Sequence, residues 1–133
     1  MRPLFALLTS AALITPLAHA ADDVETLPSG VTVQKLNKTS GAQPKASDQV
    51  KVHYRGTLEN GTEFDSSYKR GEPATFPLSR VIPCWTQGVQ KLHVGEKARL
   101  VCPPATAYGE AGIRGVIPPN STLDFEVELI AIE

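Results

Sequence analysis

Outside the first twenty positions the chain has only seven aromatic residues: Tyr54, Phe64, Tyr68, Phe76, Trp85, Tyr108 and Phe125. Most sit in short phrases: Val52-His53-Tyr54-Arg55-Gly56, Phe64-Asp65-Ser66-Ser67, Val81-Ile82-Pro83-Cys84-Trp85, Ala107-Tyr108-Gly109, Ile117-Pro118-Pro119 and Leu123-Asp124-Phe125. These residue types suit an apolar aromatic cavity with a few polar tips. Other chemistries are poorly served. Ser66-Ser67 lies beside Asp65, but no G-x-S-x-G elbow or positioned His accompanies it. His53 and His93 fall on polar faces without Cys or acidic companions at ligand spacing, so neither a metal nor a cofactor is expected. Taken singly, Phe64, Phe125 and Trp85 would serve equally well as core residues of a small β domain. Tyr108, between Ala and Gly in a long loop, is harder to explain as core.

The elements that must hold these residues follow from the pattern. Val31–Leu36 reads as a first strand and residues 37–48 as a loop. From Gln49 to Glu59, Val50, Val52 and Tyr54 alternate with Lys51, His53 and Arg55, the mark of a half-buried strand. Asn60-Gly61 is a hairpin turn, because Gly tolerates positive φ, and Thr62–Ser66 returns as a strand. Tyr68–Pro73 reads as a loop. Ala74–Leu78 suits a short edge strand, since Pro77 cannot donate to a ladder. Pro83–Leu92 is the helix candidate, with Pro83 in the first turn and Trp85, Val89 and Leu92 on one face. Lys97–Pro103 and Leu123–Leu129 alternate again. Residues 104–122 form a long Gly- and Pro-rich loop, and loops of that length in a small domain are usually functional. The expected class is α+β, an antiparallel sheet covered by one short helix.

Length and composition set the frame. The 133 residues allow one domain. Residues 1–20 read as a signal peptide, with Arg2, an apolar run over 4–17 and Ala18-His19-Ala20 as an A-x-A cleavage site. That run is too short for a comfortable membrane span. Residues 21–29 read as a flexible N-terminal segment and 30–133 as the domain. The net charge of −1 becomes one unit more negative without Arg2, which leaves no electrostatic footprint for nucleic acid. Cys84 and Cys102 are the only cysteines. They are either a disulfide or two buried thiols, and an oxidising compartment favours the bridge.

These phrases together resemble the FKBP-type peptidyl-prolyl isomerases, the macrolide-binding immunophilins. The resemblance rests on V-H-Y-R-G-T-L-E-N-G-T-E-F-D-S-S, V-I-P-C-W-T-Q-G-V, A-Y-G and V-I-P-P-N-S-T-L-D-F-E-V-E-L, in order from about Gly30 to Glu133. It implies a sheet of about five antiparallel strands wrapped around one short helix. It implies that Trp85 floors a pocket, with Tyr54, Phe64 and Phe125 as aromatic walls and Val81, Ile82 and Ile117 as aliphatic ones. Asp65 and Tyr108 become polar tips, and the Tyr108 hydroxyl and the Ile82 backbone N–H become donors to substrate carbonyls. On the residues alone Asp65 is either a turn cap or a salt-bridge partner of Arg70, and the preferred reading is a buried-edge ion pair that orients Tyr54.

The chain departs from the family pattern in places. Ala74 stands where an aromatic is usual, and Phe76 lines up with the next inward position. The segment Leu78–Val81 is shorter than in eukaryotic members, and Cys84 replaces a small residue. Residues 112–116 lack the common aromatic or His and Pro, with Val116 expected at the rim.

The implied activity is isomerisation of X-Pro bonds during folding of exported proteins, without a covalent step. The alternative is a module that binds prolyl peptides or shields apolar segments with little turnover. Expected partners are proline-containing polypeptides and macrolide inhibitors. A monomer in the bacterial periplasm is expected.

Overall fold

The computed structural model describes residues 24–133; the signal peptide expected over residues 1–20 lies outside them. The strands are β1 (Val24–Thr26), β2 (Thr32–Lys35), β3 (Gln49–Leu58), β4 (Glu63–Ser66), β5 (Ala74–Pro77), β6 (Lys97–Cys102) and β7 (Leu123–Ile132). The helices are α1 (Ser67–Arg70) and α2 (Pro83–Val89), with short 3-10 turns at Leu78–Arg80 and Pro104–Thr106. The strands form one antiparallel sheet in the order β1-β2-β6-β7-β3-β4.

Strand β3 organises the sheet. One edge pairs with β7 from Val50 to Leu58. The other is divided between β5, opposite Gln49–Val52, and β4, opposite Arg55–Thr57. Pro77 therefore sits on an outer strand, where its missing N–H costs no ladder bond. Period-two alternation sends Val50, Val52 and Tyr54 of β3, Ala98, Leu100 and Cys102 of β6, and Leu123, Phe125, Val127 and Leu129 of β7 to one buried face. Helix α2 covers that face with Cys84, Trp85, Gly88 and Val89. The Cys84–Cys102 disulfide ties the start of α2 to the end of β6.

The fold corrects several expectations. The sheet has seven strands among the described residues, against the about five that the resemblance implies: the six read from the pattern, the edge strand at Ala74–Pro77 included, and β1 in addition. Residues 24–26, expected within a flexible segment, form β1 against β2. Gly30, at φ 95°, lets the chain fold back, and the Leu27 N–H donates to the Val31 carbonyl at 2.8 Å. Backbone bonds to β2, a Glu25–Lys91 ion pair at 3.5 Å and the buried Leu27 hold this hairpin, while all three β1 side chains are exposed. Residues 67–70 form a helical turn instead of loop. Ser66 caps it by accepting the Lys69 N–H, and Gly71 closes it. Helix α2 stops at Val89, and bonds from Lys91 to Gly88 and from Leu92 to Val89 tighten the chain beyond it. Leu92 stays buried, so the expected apolar face survives the shorter helix.

One buried acid organises the turn that leads into β6. Glu96 is 1% exposed. It accepts the backbone N–H groups of Thr39 and His93, both at 2.9 Å, and pairs with Lys35 at 3.1 Å and His93 Nδ1 at 3.2 Å. Burial opposes its ionisation, but these donors prevail and bring its pKa down to about 2.

Candidate active site

The cavity lies between α2 and the buried face of the sheet. Trp85 is nearly buried and receives other rings edge-on. Tyr54 lies 5.1 Å away, and Phe76 and Phe125 each lie 5.4 Å away, all close to perpendicular. Phe64 meets Phe125 at 5.6 Å in the same manner. Edge-to-face contacts of this kind suit the aromatic quadrupole. They leave the rings as walls around an open hollow of about 460 Å³, within the range of small-molecule sites.

Local sequence explains how each wall is held. Tyr54 and Phe125 stand on neighbouring strands, the first opposite Val127 and the second opposite Gly56. A Cβ at Gly56 would fall 2.6 Å from Phe64 Cζ and 2.8 Å from Phe125 Cε1. Only glycine leaves room for that ring pair. Phe76 enters through the β5 register, which sets it opposite Val50 and Ala74 opposite Val52. Phe76 therefore supplies a wall near the position where Ala74 offers no ring.

The polar edge is a closed network. The Tyr54 hydroxyl donates to Asp65 Oδ2 at 2.5 Å. Arg70 donates through Nη1 to Asp65 Oδ1 at 2.7 Å and through Nη2 to the Tyr54 oxygen at 2.8 Å. The Ser66 N–H adds a bond to Asp65 Oδ1 at 2.9 Å. Burial raises the Asp65 pKa, but the bonds from Tyr54 and Arg70 outweigh it and hold the carboxyl below its ordinary range. Burial, then the bond to Asp65, pushes the Tyr54 hydroxyl up, so it stays protonated and donating. Arg70 reaches this network because Ser67 pins α1 to β3. The Ser67 hydroxyl accepts the Tyr54 N–H at 2.7 Å and donates to the Tyr54 carbonyl at 3.2 Å. Ser66 and Ser67 are thus a cap and a clasp.

A phenol and a backbone amide at the cavity are left to donate to a ligand. The Tyr108 side chain is 39% exposed and lines the hollow, and its hydroxyl has no hydrogen-bond partner among the described residues. Its loop is fixed by backbone bonds from Gly109 to Pro104 at 2.9 Å, from Gly112 to Tyr108 at 3.0 Å and from Asn120 to Gly109 at 2.8 Å. Ile82 also lines the hollow as the N-cap of α2, and its backbone N–H is engaged by no other described residue.

Of the residues expected at the site, Tyr54, Phe64, Asp65, Phe76, Val81, Ile82, Trp85, Tyr108 and Phe125 meet around this hollow. Val116 and Ile117 do not. The loop closes on itself, with Ile113 and Ile117 exchanging backbone bonds at 2.8 Å, and both residues line an adjacent hollow with Leu58 and Pro118. Val116 is exposed there and Ile117 buried. Arg80 lines the main cavity and was not anticipated; nothing in its sequence context announces which way its side chain turns. Gly56 was visible as part of a motif but not as the space that two rings require.

Comparison with known proteins agrees with this geometry. Residues 40–130 match the family described as FKBP-type peptidyl-prolyl cis-trans isomerase. The chain is 55% identical over 112 residues to the FKBP-type peptidyl-prolyl cis-trans isomerase FkpA of Aeromonas hydrophila, covering 84% of this chain but 41% of that protein. It is 50% identical over 106 residues to FK506-binding protein 1 of Rhizopus delemar, covering 77% of this chain and 98% of that protein. The crystal structure of FkpA from Escherichia coli superposes with a TM-score of 0.79 at 44% identity, covering 88% of this chain and 62% of that one. The chain thus spans about two fifths of the length of its FkpA relatives. With the sheet, the Trp85-floored cavity and these likenesses in agreement, the chain belongs to the FKBP-type peptidyl-prolyl cis-trans isomerase family.

Proposed function

We propose that this chain is a peptidyl-prolyl cis-trans isomerase that accelerates X-Pro rotation in exported polypeptides. The observation that carries the reading is the pairing of an open aromatic hollow, floored by Trp85, with the unpartnered Tyr108 hydroxyl on its wall. Family membership supports the activity, and the catalytic and binding roles of the lining residues are part of the proposal.

An X-Pro amide rotates slowly because resonance must be broken, a barrier of about 20 kcal/mol. The twisted transition state has lost that resonance and is less polar at the carbonyl. An apolar cavity disfavours the planar ground state more than the twisted form, which is differential binding without a covalent step. Trp85 receives the pyrrolidine ring. Tyr108 donates to the rotating carbonyl, and Ile82 N–H holds a neighbouring one. Asp65 acts through Tyr54, whose ring it keeps in place. Val116 and Ile117, on the adjacent hollow, contact the substrate chain beyond the proline.

The same cavity is proposed to accept a macrolide such as FK506, the ligand after which the fungal relative is named. Export to the periplasm is supported by the leader pattern of residues 1–20 and by the Cys84–Cys102 bridge, which needs oxidising surroundings. No helix among the described residues is long and apolar enough to cross a membrane.

The test is an isomer-specific protease assay on a Leu-Pro peptide, with and without FK506. Acceleration abolished by the macrolide supports the reading. Tight peptide or macrolide binding without acceleration would establish a binding module instead.

A further inference from the structure

Two charged side chains line the main cavity, Asp65 and Arg80. Asp65 is neutralised locally by Arg70 at 2.7 Å. Arg80 is exposed and forms no ion pair or side-chain hydrogen bond with any described residue. A cation with no partner among the described residues therefore stands at the hollow, whose other charged side chain is already paired. Its backbone is well fixed. Arg80 ends the 3-10 turn that begins at Leu78, which is fully buried. The Leu78 N–H donates to the Asp48 carbonyl at 3.0 Å, and the Leu78 carbonyl accepts the Thr86 hydroxyl at 2.6 Å. Val81 and Ile82, which also line the cavity, follow directly. The guanidinium is thus tethered at the wall of the cavity that Trp85 also lines, on a stem long enough to keep its charge in water.

We infer that Arg80 is a specificity-determining residue that favours substrates with an acidic side chain adjacent to the proline and disfavours basic ones. The inference rests on the isomerase reading above. A guanidinium pairs readily with a carboxylate. Because the partners remain solvent-exposed, the preference is modest, about two- to fivefold in kcat/KM, and weakens with salt.

The experiment measures isomerisation by NMR exchange on peptides with Glu, Lys or Leu immediately before the proline, and on a second set with the same residues immediately after it. The proteins compared are the native chain, Arg80→Lys, Arg80→Ala and Arg80→Glu. In at least one set the native chain and Arg80→Lys are expected to favour Glu over Lys. Arg80→Ala should bring that ratio to about one, and Arg80→Glu should invert it. A change in packing alone would not reverse the sign of a charge preference. A Glu-to-Lys ratio equal in all four proteins in both sets, with Leu-Pro still accelerated, would overturn the assignment of Arg80 alone. No acceleration of any peptide by the native chain would overturn the isomerase reading itself.

Discussion

Tyr54 donates its hydroxyl to Asp65 at 2.5 Å, across the split edge of β3 that also carries β4. Arg70 contacts both members, so removing the carboxylate leaves a phenol and a guanidinium without their anion. Asp65→Ala is expected to loosen the Tyr54 wall. The cost should be about 1 kcal/mol in stability, the low end for a hydrogen-bonded group because the site is partly wet, with a several-fold loss of activity. Urea unfolding and the peptide assay check it. An Asp65→Ala protein with unchanged kcat/KM would show that the network does not position the wall.

Tyr108 is partly exposed and its hydroxyl has no partner within the described chain. Tyr108→Phe should therefore leave the unfolding midpoint unchanged while lowering kcat/KM by about tenfold, the effect of losing one preorganised donor worth about 1–3 kcal/mol. Trp85→Ala combined with Tyr108→Phe should remove most of the activity. A double variant that retains full rate would place the site elsewhere.

The Gly56 gap is a packing prediction. A methyl group there would collide with Phe64 and Phe125 at 2.6 and 2.8 Å. Gly56→Ala should destabilise the fold by about 1–3 kcal/mol, as overpacking does. It should also displace two rings of the cavity, so macrolide affinity should fall with stability. Calorimetric Tm and titration with FK506 read the two effects separately.

The disulfide joins Cys84, beside Trp85 on α2, to Cys102 on β6 across a sequence separation of 18. Closing a loop of that size stabilises by about 3 kcal/mol in the chain-entropy account. Cys84→Ala with Cys102→Ala, or added reductant, should lower the urea midpoint accordingly. Thiol titration of unreduced, unfolded protein should find no free thiol.

Acid stability should depend on Glu96. Its folded pKa is about 2 against an ordinary 4.5. A depressed carboxylate contributes in full above the unfolded value, and the contribution fades as pH falls from 4.5 through 2. Glu96→Gln should lose on the order of 2 kcal/mol at pH 7 and flatten the dependence of unfolding on pH in that window. Parallel acid profiles for the native and Gln proteins would exclude this role.

Much of the fold was legible because it is local. Alternation at period two assigned β3, β6 and β7 their buried faces, Asn60-Gly61 marked the turn between β3 and β4, and Pro83 with Trp85, Val89 and Leu92 marked the covering helix. The spaced motifs also indicated most of the cavity, since Tyr54, Phe64, Trp85 and Phe125 must face inward once their strands and helix are paired. The less legible features depend on backbone closure over distance. Residues 24–26 became a strand because β2 offered an unpaired edge, though their own side chains stay largely at the surface.

What the sequence determined by itself was the set of aromatic phrases, the strands and helix that carry them, and the two cysteines; the family resemblance of those phrases added the pocket with Asp65 and Tyr108 as its polar points. What only the tertiary structure decided was which loop residues share that hollow. The bonds between Ile113 and Ile117, and from Asn120 back to Gly109, fold the long loop onto itself and carry Val116 and Ile117 to the neighbouring hollow. The turn anchored by Leu78 brings Arg80 in. Side-chain direction along a strand is fixed by its period, but in a loop it is fixed by the contacts that close the loop, and those appear only when distant segments meet.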